Sequence, residues 1–165
     1  AQVTPPPDYF DGVSFRSVLE GRTDPIHDSL YFEMGFTRAV IKGKWKYLAL
    51  RYPERAERMT ARERAEILEK FNAKQREHSK RINTLDPKAP FSHIALIPGG
   101  GGAEAASTGK YPGYYDADQL YDLSRDPKER MNLAHTAEHD EVLAEMKQEL
   151  KQYLDKLPGG FAELK

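Results

Sequence analysis

The stretch Leu30-Tyr31-Phe32-Glu33-Met34-Gly35-Phe36-Thr37-Arg38-Ala39-Val40-Ile41-Lys42-Gly43-Lys44-Trp45-Lys46-Tyr47-Leu48-Ala49-Leu50 decides the fold. Leu30–Met34, Thr37–Ile41 and Trp45–Leu50 are rich in aromatic and β-branched residues. The second and third runs are joined through Lys42-Gly43-Lys44, and such runs broken by a glycine-containing turn are the signal of a hairpin. In the third run a period of two places Trp45, Tyr47 and Ala49 on one face and Lys46 on the other. The apolar face is expected to pack against a helix.

Outward from this core, Pro53 closes the strand and Thr60-Ala61-Arg62-Glu63 reads as a capping box, in which hydroxyl and carboxylate satisfy backbone donors reciprocally. The helix it opens is expected to run to about Ile82. Its apolar stripe is thin (Ala65, Leu68, Phe71, then Gln75 and His78 before Ile82), so the helix should lie on a surface or project from it. Asp86-Pro87 and Ala89-Pro90 break the pattern, Phe91–Ile97 reads as a short strand, and Gly99–Gly102 begin a loop reaching Tyr111-Pro112-Gly113. Gln119-Leu120-Tyr121-Asp122-Leu123 is expected to be the last strand. Asp126-Pro127-Lys128-Glu129 reads as a helix start. The final helix is expected to be capped by Thr136, with Glu138, Asp140 and Glu141 at its positive end. Leu143, Met146, Leu150, Tyr153 and Leu157 are its stripe, and Pro158-Gly159-Gly160 stops it. Upstream, Asp11 to Glu20 form a short amphipathic piece ending at Gly21. The fold class is α+β: a small antiparallel β-sheet covered by a C-terminal helix, with an inserted charged helix and a glycine-rich loop.

The 165 residues suffice for one domain, which typically buries roughly 70% of its unfolded surface. Charged residues make up 31% of the chain, and the mean hydropathy is −0.74. Either long solvated helices or a face that normally packs on something absent would explain that polarity. Net charge is −1, and glutamates interleave the basic residues between Arg51 and Arg81, so neither nucleic acid nor a membrane is an expected partner. The absence of cysteine excludes disulfides, thiolate nucleophiles and cysteine zinc sites. No run approaches the roughly 18 apolar residues of a membrane span. Pro5-Pro6-Pro7 reads as an extended linker rather than part of a signal peptide.

Few side-chain patterns suggest chemistry. The four glycines Gly99–Gly102 lack the spacing of a phosphate loop, and Tyr111 rather than Ser or Thr follows Lys110. His135 and His139 stand four apart, like a helical metal pair, yet a helix capped by Thr136 leaves His135 outside it. His78 reads as a packed or interfacial histidine, whereas His93, beside the glycine loop, is placed to reach a neighbouring pocket. Arg38 sits in a strand otherwise built for burial, where it either pairs with Glu33 or an aspartate or contacts an anionic substrate. Asp116, Asp118 and Asp122 lack a calcium-loop pattern and are expected to cap turns.

Together these segments resemble one family. Asp11-Gly12-Val13-Ser14-Phe15, with Leu19 and Gly21 after it, resembles the stretch leading into the C-terminal part of formylglycine-dependent sulfatases of the arylsulfatase type. Tyr31–Val40 followed by Lys44-Trp45-Lys46-Tyr47 is similar to that family's hairpin. Gln119-Leu120-Tyr121-Asp122-Leu123, then Asp126-Pro127, Glu129 and Asn132-Leu133-Ala134, resembles a further signature, and Leu157-Pro158-Gly159-Gly160-Phe161 matches the ending of a subgroup. Departures are Ser17-Val18 for the usual Pro-Leu and Ile41 for the usual arginine.

The resemblance implies that residues 1–10 are a linker from a missing N-terminal catalytic domain and that residues 11–165 are the C-terminal domain. Sulfatases hydrolyse sulfate esters with a formylglycine made in a Cys/Ser-x-Pro-x-Arg motif, beside a divalent metal, usually calcium. No serine here lies in that motif, so the chain alone is expected to be inactive, with both cofactors in the N-terminal domain. The implied partners are that domain and a sulfated small molecule or glycan. Family members are often periplasmic or secreted. Candidate substrate-side residues are Arg38, His93, Gly99, Gly100, Gly101 and Gly102. The competing expectation is a freestanding interaction or ligand-binding module that kept the fold; it calls for a polar, well-covered surface, whereas a domain lacking its partner should expose an apolar patch.

Overall fold

The structure, a computed structural model, describes residues 12–82, 84–89, 110–161 and 164. A four-stranded antiparallel sheet runs in the order β1 (Ser29–Met34), β2 (Thr37–Lys42), β3 (Trp45–Leu50), β4 (Asp118–Asp122). Two hairpins link the first three strands, each turning at a glycine with positive φ: Gly35 at 54° and Gly43 at 56°. Both stand first in a two-residue connection, where the twist of the strands demands a conformation that strains any side chain. The register sets Val40 opposite Tyr47 and Tyr47 opposite Leu120, so one apolar row crosses the sheet. Helix α4 (Asp140–Leu154) lies over that row, burying Met146 and Leu150 against Val40, Tyr47, Ala49 and Leu120. This is the α+β arrangement expected from the alternation in β3 and the stripe of α4.

The elements outside this core depart from expectation in instructive ways. A one-turn α1 spans Arg16–Leu19, and a one-turn α2 (Glu54–Glu57) that the sequence pattern does not signal precedes α3 (Ala61–Glu77). The capping box of α3 is present, with Glu63 N donating to Thr60 Oγ1 (3.3 Å) and Thr60 N to Glu63 Oε2 (2.8 Å). The helix ends at Glu77 rather than Ile82, because Ser79 takes φ 52° and the ring Nδ1 of His78 meets the Lys74 carbonyl at 2.8 Å. His78 is thus an exposed end residue, not a packed one. Ala65 is exposed; the buried positions are Leu68 and Asn72. The returning chain bonds to this helix, through Asn72 Nδ2 to the Thr84 carbonyl (3.0 Å) and Arg64 to the Ala89 carbonyl. The expected strand Phe91–Ile97 lies outside the described residues.

Asp126 does not start a helix. Its carboxylate accepts from the backbone N–H of Arg130 (2.6 Å) and Met131 (2.8 Å), and Glu129 adopts φ 53°, which closes a turn instead. Thr136 precedes a one-turn 3-10 segment (Ala137–His139), but its hydroxyl donates to the Leu133 carbonyl and caps nothing. Asp140 and Glu141 complement the positive end of α4 in its place. The helix stops at Leu154, so Leu157 lies beyond it and is exposed.

Asn132 ties β4 to the segment leading into α4. Its Oδ1 accepts from the N–H of Leu120 (2.9 Å) and Ala134 (3.0 Å), while Nδ2 donates to the Asp118 carbonyl (3.0 Å) and Asp116 Oδ2 (2.8 Å). Gly113 packs so closely here that an added Cβ would stand 2.9 Å from Asp116 Oδ2 and 3.0 Å from Asn132 Cβ. Asn132→Ala should lower unfolding free energy by about 2–4 kcal/mol in urea titrations, since it strands buried backbone groups. Gly113→Ala should shift the midpoint in the same direction. An Asn132→Ala loss under about 0.5 kcal/mol, the range of an ordinary surface substitution, would show that the amide does not hold this junction.

Candidate functional site

Two polar networks seat α4 on the sheet. In the first, Ser29 Oγ donates to Glu149 Oε1 and Lys42 Nζ to Oε2, both at 2.6 Å. Tyr153 donates to the Ser29 carbonyl (3.0 Å) and stacks its ring on Tyr31, centroids 5.2 Å apart. The hydrogen bond from Lys42, then that from Ser29, holds the Glu149 carboxyl below its usual range against the effect of burial. In the second network, Asp118 accepts from the Tyr47 hydroxyl (2.5 Å) and Arg51 Nη2 (2.7 Å), with Lys147 at 3.4 Å. Burial alone would raise the Asp118 carboxyl, but Tyr47, Arg51 and Lys147 together bring it below its usual range. Burial, then the bond to Asp118, pushes the Tyr47 phenol far up. Asp118 is therefore a junction of charges rather than the expected turn cap. Asp122 does cap a turn: Ser124 N and Oγ donate to it, and Ser124 together with Lys44 (2.9 Å) brings its carboxyl down to about 2.

These shifts run away from neutrality. A general acid or base works best with a pKa near the operating pH, whereas here carboxylates go down and phenols go up. The groups are arranged to hold charge and position. A hollow of about 220 Å³ opens between Asp28–Ser29 and the end of α4 near Gln152 and Lys156. Its inner groups Ser29, Glu149 and Tyr153 are already satisfied by one another and by Lys42. Among the described residues, no group of three or more His, Asp or Glu is placed to hold a metal ion. His139 meets the Trp45 ring edge-on at 5.7 Å, and His135 Nε2 lies 3.9 Å from Asp116 Oδ2.

Of the sequence candidates, Arg38 is described and His93 and Gly99–Gly102 lie outside the described residues. Arg38 pairs with Glu33, its cross-strand partner, at 2.8 Å. It also donates to the carbonyls of Gly35 (2.8 Å) and Thr37 (3.0 Å) and lies 5.0 Å over the ring of Phe161. Sequence reasoning missed Glu149 and Ser29, and it gave Asn132 only as part of a signature, without its role at the junction. The signal for Glu149 was a carboxylate wedged between Met146 and Leu150 on a buried stripe, where an unpaired charge is not tolerated.

The face of the sheet away from α4 is divided. Toward β4 it is closed: Tyr121 donates to Gln119 Oε1 (2.9 Å), Gln119 Nε2 donates to the carbonyls of Tyr114 (3.1 Å) and Asp116 (3.0 Å), and Lys46 meets Glu129 at 2.7 Å. Toward β1, among the described residues, it is open. Leu30, Phe32 and Met34 are 47%, 48% and 70% exposed, and they alternate along an edge strand. On α1 and just before it, Val13, Phe15, Val18 and Leu19 are exposed as well. Monomeric proteins seldom leave such apolar rows to water.

No protein-family model matches the chain, and no curated protein is significantly similar to it. Among the described residues no helix is long and apolar enough to cross a membrane.

Asp122 is the clearest probe of the electrostatics. Its carboxyl lies near 2 in the fold against an ordinary 3.8, so its stabilisation is fully present above the ordinary value and lost as pH falls through the folded one. Melting temperature should drop as pH is lowered from about 4 to about 2, and Asp122→Asn should flatten part of that drop while lowering the plateau at neutral pH. Equal slopes for both proteins would remove Asp122 as a source. For Arg38, a double-mutant cycle with Phe161→Leu should give a coupling of about 0.5–1 kcal/mol, and zero coupling would mean that the ring and the cation do not stabilise one another.

Proposed function

We propose that this chain is the C-terminal domain of a formylglycine-dependent sulfatase, completing the fold and the rim of the substrate pocket of a separate catalytic α/β domain. The observation that carries the proposal is the open apolar row Leu30, Phe32 and Met34; Phe15, Val18 and Leu19 are exposed as well. A domain that docks on a partner needs such a surface, whereas a freestanding module calls for a polar, covered one. The resembling segments also fall on the elements that frame the core. The Tyr-Phe-Glu to Trp-Lys-Tyr stretch spans β1 to β3, the Leu-Tyr-Asp stretch lies in β4, and Asn-Leu-Ala begins with the Asn132 junction. These residues serve folding, which fits a domain whose chemistry lies elsewhere.

On this proposal formylglycine and a divalent metal, with the negative charge of the transferring sulfate that they stabilise, belong to the catalytic domain. His93 and Gly99–Gly102 are the substrate-side candidates, together with Arg38. Because Glu33 already neutralises Arg38, that guanidinium would orient the rim rather than supply a free positive charge.

The reading frame upstream of Ala1 tests the proposal directly. A Cys/Ser-x-Pro-x-Arg motif in the same polypeptide is the expected result; a start codon close to Ala1, with no such motif, would sink it. The docking face is tested separately on the isolated chain. Binding of a dye to exposed apolar surface should be strong and should fall at least severalfold in a Phe32→Asp, Met34→Ser variant whose melting temperature is unchanged. The same variant should fail to associate with the catalytic domain and should not restore aryl sulfate hydrolysis on mixing. Equal dye binding and equal restoration would move the docking surface away from β1.

A further inference from the structure

We draw no further inference here: the strongest candidate, the open apolar edge of the sheet at Leu30, Phe32 and Met34, already belongs to the docking face of the proposed function, and nothing in the structure shows what covers it.

Discussion

Tyr47 stands at the middle of β3 with its ring fully buried among Val40, Leu120, Met146 and Leu150, so its hydroxyl has to find a partner inside the protein. A buried hydroxyl left unpaired costs about 1–3 kcal/mol. Asp118 supplies the acceptor, and a half-buried carboxylate in turn requires cations, which Arg51 and Lys147 provide. Those partners come from β4, from just beyond β3 and from α4. One buried phenol thereby links the last strand and the covering helix to the hairpin. The Lys42–Glu149–Ser29 network ties the helix to β1 and β2 two residues further along, so α4 is held in rotation as well as by its apolar stripe. Burial of the stripe stabilises the seating of the helix, and each buried charge keeps a partner, since removing one would leave the other uncompensated.

The same sheet behaves differently on its two faces. Under α4 the row Val40, Tyr47 and Leu120 is fully buried. On the opposite face, the part nearest β4 is sealed by hydrogen bonds from Gln119 and by the Lys46–Glu129 pair, while the part nearest β1 presents Leu30, Phe32 and Met34 to water. An edge strand with alternating exposed apolar side chains offers both a sticky surface and unpaired backbone groups. This asymmetry gives the docking proposal its location.

Where the pattern in the sequence was local and strong, the expected element formed. Alternation in Trp45–Leu50, the glycine at position 43 and the Thr60–Glu63 box each report on physics within a few residues, and each holds. Departures arise where a residue has a second option. Thr136 turns to the Leu133 carbonyl, Asp126 bonds ahead to Arg130 and Met131 and closes a turn, and His78 reaches back to the Lys74 carbonyl. Short polar side chains near chain reversals choose among nearby backbone groups, and only the surrounding chain decides which is free. Of the site candidates, the Arg38–Glu33 pair was legible because residues facing across a hairpin are set by its register.

The sequence by itself determined the strands of the hairpins, the capped helix and the amphipathic final helix, because alternation, glycine turns and capping depend on neighbours along the chain. Only the tertiary structure decided that Asp118 gathers Tyr47, Arg51 and Lys147, that Glu149 pairs with Lys42 and Ser29, and that Asn132 closes the junction behind β4. Those partners stand from 12 to 120 residues apart along the chain. They meet because the β3–β4 pairing and the packing of α4 bring them together, a consequence of burying one continuous apolar row that no short window of sequence contains.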